Sequence, residues 1–124
     1  KELGTRDVYD RANRAAVLSN VGDLEAAILE SEAVMRLGFD NPYVFNNHCD
    51  MLNRAGRPAE ALPYCEEAIA AEDETAAIYH TLAMSLAGLG RCEEAETALG
   101  TARKLEPSVV KYDEPLECFI DQSE

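Results

Sequence analysis

Four cysteines and two histidines are the side chains of this 124-residue sequence best suited to chemistry, so their spacing decides which reactions to consider. Cys49, Cys65, Cys92 and Cys118 include no C-x-x-C pair, and a structural zinc site is not expected. His48 and Cys49 are adjacent, but consecutive side chains on a helix point in different directions, so they do not form a nucleophile–base pair. The sequence offers no Ser–His–Asp order, no glycine-rich phosphate loop and no paired-carboxylate constellation. The acidic clusters Glu66-Glu67, Glu72-Asp73-Glu74 and Glu93-Glu94 lack the alternating oxygen ligands and central glycine of a calcium loop. They read as solvated outer surface, with Glu93-Glu94 favoured by the positive end of a helix. The expectation is a protein with no metal, no cofactor and no catalytic activity.

The elements that would carry these residues are helical. Alanine, leucine and glutamate dominate, tryptophan is absent, and no stretch sustains strand-type alternation. The fold class expected is all-α. Eleven basic against 24 acidic side chains give a net charge of -13, which disfavours nucleic-acid phosphates and anionic membrane surfaces as partners. No apolar run approaches the length of a membrane span.

A period of 34 residues organises the chain. Gly22, Gly56 and Gly90 keep that spacing, each followed five residues later by an alanine: Ala27, Ala61 and Ala95. Leu18, Leu52 and Leu86 form another column, as do Ala15, Cys49 and Ala83. Each unit reads as two helices about a turn. In the second, Asn41-Pro42 starts a helix bearing Phe45, Cys49 and Leu52, and Gly56 ends it. Pro58 opens the return helix, whose apolar stripe is Ala61, Cys65, Ala68 and Ile69. Cys49 and Cys65 then face the interior of one hairpin. A disulfide there is geometrically allowed if their Cα atoms lie within about 7 Å, and two reduced, small core residues are the alternative. Cys92, opening a helix, and Cys118, in the tail, read as free thiols. This usage leans towards the cytoplasm, with the periplasm as the alternative.

The aromatic at Phe45 and Tyr79, the Leu82-Ala83 pair, the turn glycine, Glu60-Ala61 and Glu94-Ala95, the small residues Ala68 and Ala102, and Pro107 together resemble the tetratricopeptide repeat. The units fall at 8–41, 42–75 and 76–109. The first departs from the pattern, with Arg11 in place of the aromatic and Arg14 in place of the leucine. Residues 1–7 read as the end of a preceding repeat, since Leu3 lies in the column of Leu37 and Leu105. Residues 110–124 read as a capping segment, with Leu116, Cys118, Phe119 and Ile120 forming a short helix over the last hairpin. The architecture expected is an α-solenoid of three hairpins plus that cap.

In stacked hairpins the first helices line the concave side. Helical spacing places Tyr9, Asn13 and Asn20 of the first unit there. The second contributes Tyr43, Asn46, Asn47, Asp50, Asn53 and Arg54, and the third His80, Thr81 and Met84. Amide side chains offer donors and an acceptor to a peptide backbone. The resemblance implies a non-enzymatic scaffold whose groove receives a peptide or helix of a partner protein. A structural spacer or self-association module of a larger regulatory or secretion protein is the alternative, so oligomerisation stays open. Chaperone-binding members of the family resemble one another in a basic clamp that grips a terminal carboxylate. The matching positions here are Ala12, Ala16, Asn47, Ala77 and Thr81, and only Asn47 fits, which argues against a chaperone tail as the ligand.

Overall fold

The computed structural model describes residues 5–39, 41–72 and 74–118, with side chains from Asp10 onward. Among the described residues, six α-helices pair into three antiparallel hairpins: α1 (Thr5–Asn20) with α2 (Leu24–Arg36), α3 (Pro42–Arg54) with α4 (Pro58–Ala71), and α5 (Ala76–Gly88) with α6 (Cys92–Leu105). Each tight turn is closed in one way. Gly22, Gly56 and Gly90 adopt φ of 90°, 78° and 79°, a conformation glycine enters without a Cβ penalty. The next residue then returns its N–H to the repeated leucine, as Asp23 to Leu18, Arg57 to Leu52 and Arg91 to Leu86, each at 2.9 Å. One leucine column therefore serves both the core and the turn.

Two starts are capped by side chains, Asp23 accepting from Ala26 N–H and Asn41 from Val44 N–H, and Pro42 and Pro58 sit in the first turns of α3 and α4. Small residues at the crossings are fully covered: Ala27, Cys49, Ala61, Cys65, Ala83, Ala95 and Ala102. The first helices pack side by side, α1 on α3 and α3 on α5, and each second helix stacks on the following first helix. Among the described residues no comparable contact joins α2 to α4 or α4 to α6. That asymmetry makes the first helices the inner, concave layer.

Residues 5–7 belong to α1, while residues 1–4, including the Leu3 on which the expected end of a preceding repeat rests, lie outside the described residues. Two sequence expectations need correction. Cys92 and Cys118 are not free thiols but a disulfide, with Cα atoms 5.7 Å apart. The expected capping helix around Leu116 and Cys118 is absent at those two residues, while Phe119 and Ile120 lie outside the described residues. A 3-10 turn, Val110–Asp113, precedes it instead, because Pro115 disfavours helix at Glu114. Its Tyr112 is buried on the third hairpin's core, with Val109, Leu116 and Cys118 packed alongside. Arg103 fixes the turn by donating to the Tyr112 carbonyl at 2.7 Å.

Candidate functional site: the concave face

The groove candidates separate into residues that tie the hairpins together and residues that face outward. Arg54 belongs to the first group. Its guanidinium donates to the hydroxyl and, at 2.8 Å, to the carbonyl of Ser19, and lies 3.6 Å from Asp50. Helix α1 has no basic residue in its last turn, so Arg54 supplies a cation to the negative end of that helix from the neighbouring hairpin. Asn53 makes the equivalent tie between the second hairpin and the third. Its amide donates to the Thr81 carbonyl at 3.1 Å and accepts from the buried Ser85 hydroxyl at 2.8 Å. Thr81 is itself buried, its hydroxyl donating to the Ala77 carbonyl. Arg54 is exposed, yet it binds two hairpins.

Among the described residues, Tyr43, 69% exposed, and Met84, 44% exposed, are large apolar side chains that the inner layer presents to solvent, with Val17 and Val21 exposed at the end of α1 and in the turn after it. Asn13 and Asn20 are exposed on α1, and Asn46, Asn47 and Asp50 are half-buried on α3. Tyr9 is in α1, but its side chain lies outside the described set. A cleft of 520 Å³ crosses the first turns of α3 and α5, walled by Tyr43, Asn46, Ala77 and Ile78 and closed by Glu72 at the end of α4. Tyr43 and Asn47 also border the seam between α1 and α3.

His80 is half-buried with its ring 5.1 Å from that of Tyr112. Burial, then nearby Lys111, pushes its titration below the ordinary histidine value, against opposing pulls from Asp50 and Glu114. A protonation change there would fall below pH 6.5. Sequence spacing alone could not find this, because the ring that covers His80 comes from outside the repeat frame.

The remaining chemistry-bearing residues are structural. Cys49 and Cys65 are bridged across the second hairpin, Cα to Cα 5.5 Å. His48 is 1% exposed, its Nδ1 2.9 Å from the Ser31 hydroxyl and its ring edge-on to Tyr64 at 4.5 Å. Burial, with Arg57 nearby, lowers its pKa to about 4, so it is neutral at physiological pH. No group of His, Cys, Asp and Glu suited to a metal ion occurs among the described residues. No helix of the described residues is long and apolar enough to cross a membrane.

Residues 52–112 match the tetratricopeptide repeat family. No curated protein matches the sequence. Among solved structures, MamA from Desulfovibrio magneticus RS-1 (41-end) is similar, with a TM-score of 0.79 at 24% identity over 87% of this chain and 61% of that one. The first TPR domain of human RPAP3 reaches 0.81 at 20% identity, covering 89% and 87% of the two chains. The first TPR of Spaghetti (RPAP3), bound to the HSP90 peptide SRMEEVD, also reaches 0.81, at 19% identity over 90% and 88%. Identities this low speak for the fold alone. The sequence match covers residues 52–112, from the second hairpin into the third, and the hairpin built three times over has the fold of the tetratricopeptide repeat structures it resembles.

Proposed function

We propose that the chain is a protein–protein interaction scaffold whose concave face, centred on Tyr43, receives an extended segment of a partner protein. The carrying observation is the 520 Å³ cleft beside an aromatic side chain left 69% exposed on the inner layer. An exposed aromatic at the middle of a preformed groove is the kind of residue on which binding energy concentrates, and a groove built on packed helices loses little freedom when occupied. Asn47 borders the same surface and can pair with a peptide backbone. Arg54, committed to Ser19, supports the groove from within rather than anchoring the ligand.

The peptide-bound RPAP3 relative supports a peptide as the ligand class, while the side chains argue about its charge. At the positions matched to a carboxylate clamp stand Ala12, Ala16, Asn47, Ala77 and Thr81, none of them cationic. We therefore infer a neutral or basic segment rather than an acidic chaperone tail. The compartment we infer is an oxidising one such as the periplasm rather than the cytoplasm, because two disulfides hold all four cysteines. Four titratable thiols in the native protein purified without reductant would reverse that inference.

A peptide selected by display on the folded chain tests the functional reading. Tyr43→Ala and Asn47→Ala should each weaken it by about 1–3 kcal/mol in calorimetry, and Glu66→Ala on the outer side should leave it unchanged. Loss in Glu66→Ala alone would move the site to the convex surface. Tight binding of SRMEEVD would overturn the charge argument. Self-association is the second reading, favoured by Val17, Val21 and Leu29, which are 60%, 73% and 64% exposed on the first hairpin. Sedimentation that stays monomeric at high concentration would remove it.

A further inference from the structure

The 34-residue register allows the outer grooves of the second and third hairpins to be compared residue by residue. In the second hairpin the groove between α3 and α4 is partly filled by Tyr64, whose ring stands edge-on to His48 and 6.4 Å from the ring of Phe45. That ring borders two clefts, of 390 and 290 Å³. In the third hairpin the corresponding residues are Ala98, Leu82 and Tyr79. Alanine in the place of tyrosine leaves one cleft of 450 Å³, with Leu82 and Leu86 below, Tyr79 as a wall, and Glu93 and Glu94 along the rim.

We propose that this socket is a second protein-docking site, on the outer side of the third hairpin, for a segment that inserts an aromatic side chain flanked by lysine or arginine. The chain itself shows what fits: in the second hairpin the equivalent space holds an aromatic ring against the His48 and Phe45 positions. Leu82 and Tyr79 offer an incoming ring an apolar face and an aromatic neighbour. The flanking charge follows from the rim. Arg91 is committed to Glu94 through two hydrogen bonds, of 2.9 and 2.7 Å, which leaves the exposed Glu93 carboxylate to meet an incoming cation. The second hairpin has Ala59 where the third has Glu93, so the undivided cleft and the extra carboxylate occur in the same hairpin. A net charge of -13 favours basic partners. The site is separate from the concave groove and does not depend on that reading.

The test is a titration of the ¹⁵N-labelled chain with acetyl-Arg-Trp-Arg-amide, followed by amide chemical shifts. Saturable shifts should cluster at Leu82, Leu86 and Ala98. Ala98→Tyr, which places a ring in the socket as Tyr64 does in its counterpart, should weaken binding about tenfold or more, and Glu93→Lys several-fold. Acetyl-Glu-Trp-Glu-amide should not shift these amides. Equal affinity in Ala98→Tyr, or shifts confined to other surfaces, would overturn the proposal. Were Ala98→Tyr to lose its helical circular dichroism, the exposed Glu93→Lys would decide alone, and unchanged affinity there would be contrary. Shifts at these residues that grow with protein concentration, without peptide, would assign the socket to a second copy and also overturn it.

Discussion

The second and third hairpins share one register and fill it with different chemistry. At the crossing of α3 and α4 stand Cys49 and Cys65, joined covalently, whereas the same positions of α5 and α6 hold Ala83 and Leu99, both fully buried. Beside them the second hairpin buries His48 against Ser31 and Tyr64, where the third places Leu82 next to Ala98. The period therefore fixes where backbones meet but leaves open whether a bond, a polar pair or an aliphatic contact holds them. The third hairpin places its crosslink elsewhere, pinning the tail to the start of α6 through Cys92–Cys118. Its core is closed by Tyr112 of that tail.

Removing the covalent crossing should cost the most stability. Cys49→Ala with Cys65→Ala opens a loop with a sequence separation of 16 and should cost about 3 kcal/mol in the chain-entropy description. Urea unfolding measures it. Cys49→Ala with Cys65→Leu, which copies the third hairpin, should recover some of that loss through restored packing. A pair of variants equal in stability would show that the crossing is not interchangeable between hairpins.

The buried histidine sets the two hairpins apart in their response to pH. The folded value of His48, about 4, lies below the ordinary 6.5, so the fold favours the neutral ring. Its contribution is complete above pH 6.5 and is lost as the pH falls towards 4. By linkage the loss at pH 5 is about 2 kcal/mol. His48→Leu, matching Leu82, should remove that component of the pH dependence. An unchanged slope between pH 7 and pH 5 would assign it to the carboxylates instead.

The smallest of the three effects concerns the ties between hairpins. Asn53→Ala releases the Thr81 carbonyl and the Ser85 hydroxyl, and should cost about 1 kcal/mol or somewhat more. Arg54→Ala, at an exposed position, should cost no more than Asn53→Ala. Urea midpoints of the two variants give the order.

Much of the fold was legible because the 34-residue columns of glycine, leucine and alanine are local signals: each glycine stops its own helix and each small residue marks its own crossing. The ties were not legible. Arg54 and Asn53 look like groove residues on their own helix, and only the side-by-side packing of first helices brings them to Ser19 and Ser85. The Cys92–Cys118 bridge and the Tyr112 lid join the repeat frame to residues outside it, a relation that no period encodes. Tyr43 could be placed on the inner layer from spacing alone, whereas the cleft beside it depends on how far the start of α5 stands from α3.

Seating of a partner segment on the concave face is tested most directly by mapping the display-selected peptide onto the ¹⁵N-labelled chain. Shifts at Tyr43, Asn47, Ala77 and Met84 should saturate together and be lost in Tyr43→Ala. Shifts confined to Leu82, Leu86 and Ala98, undisturbed by that substitution, would contradict a concave-face site.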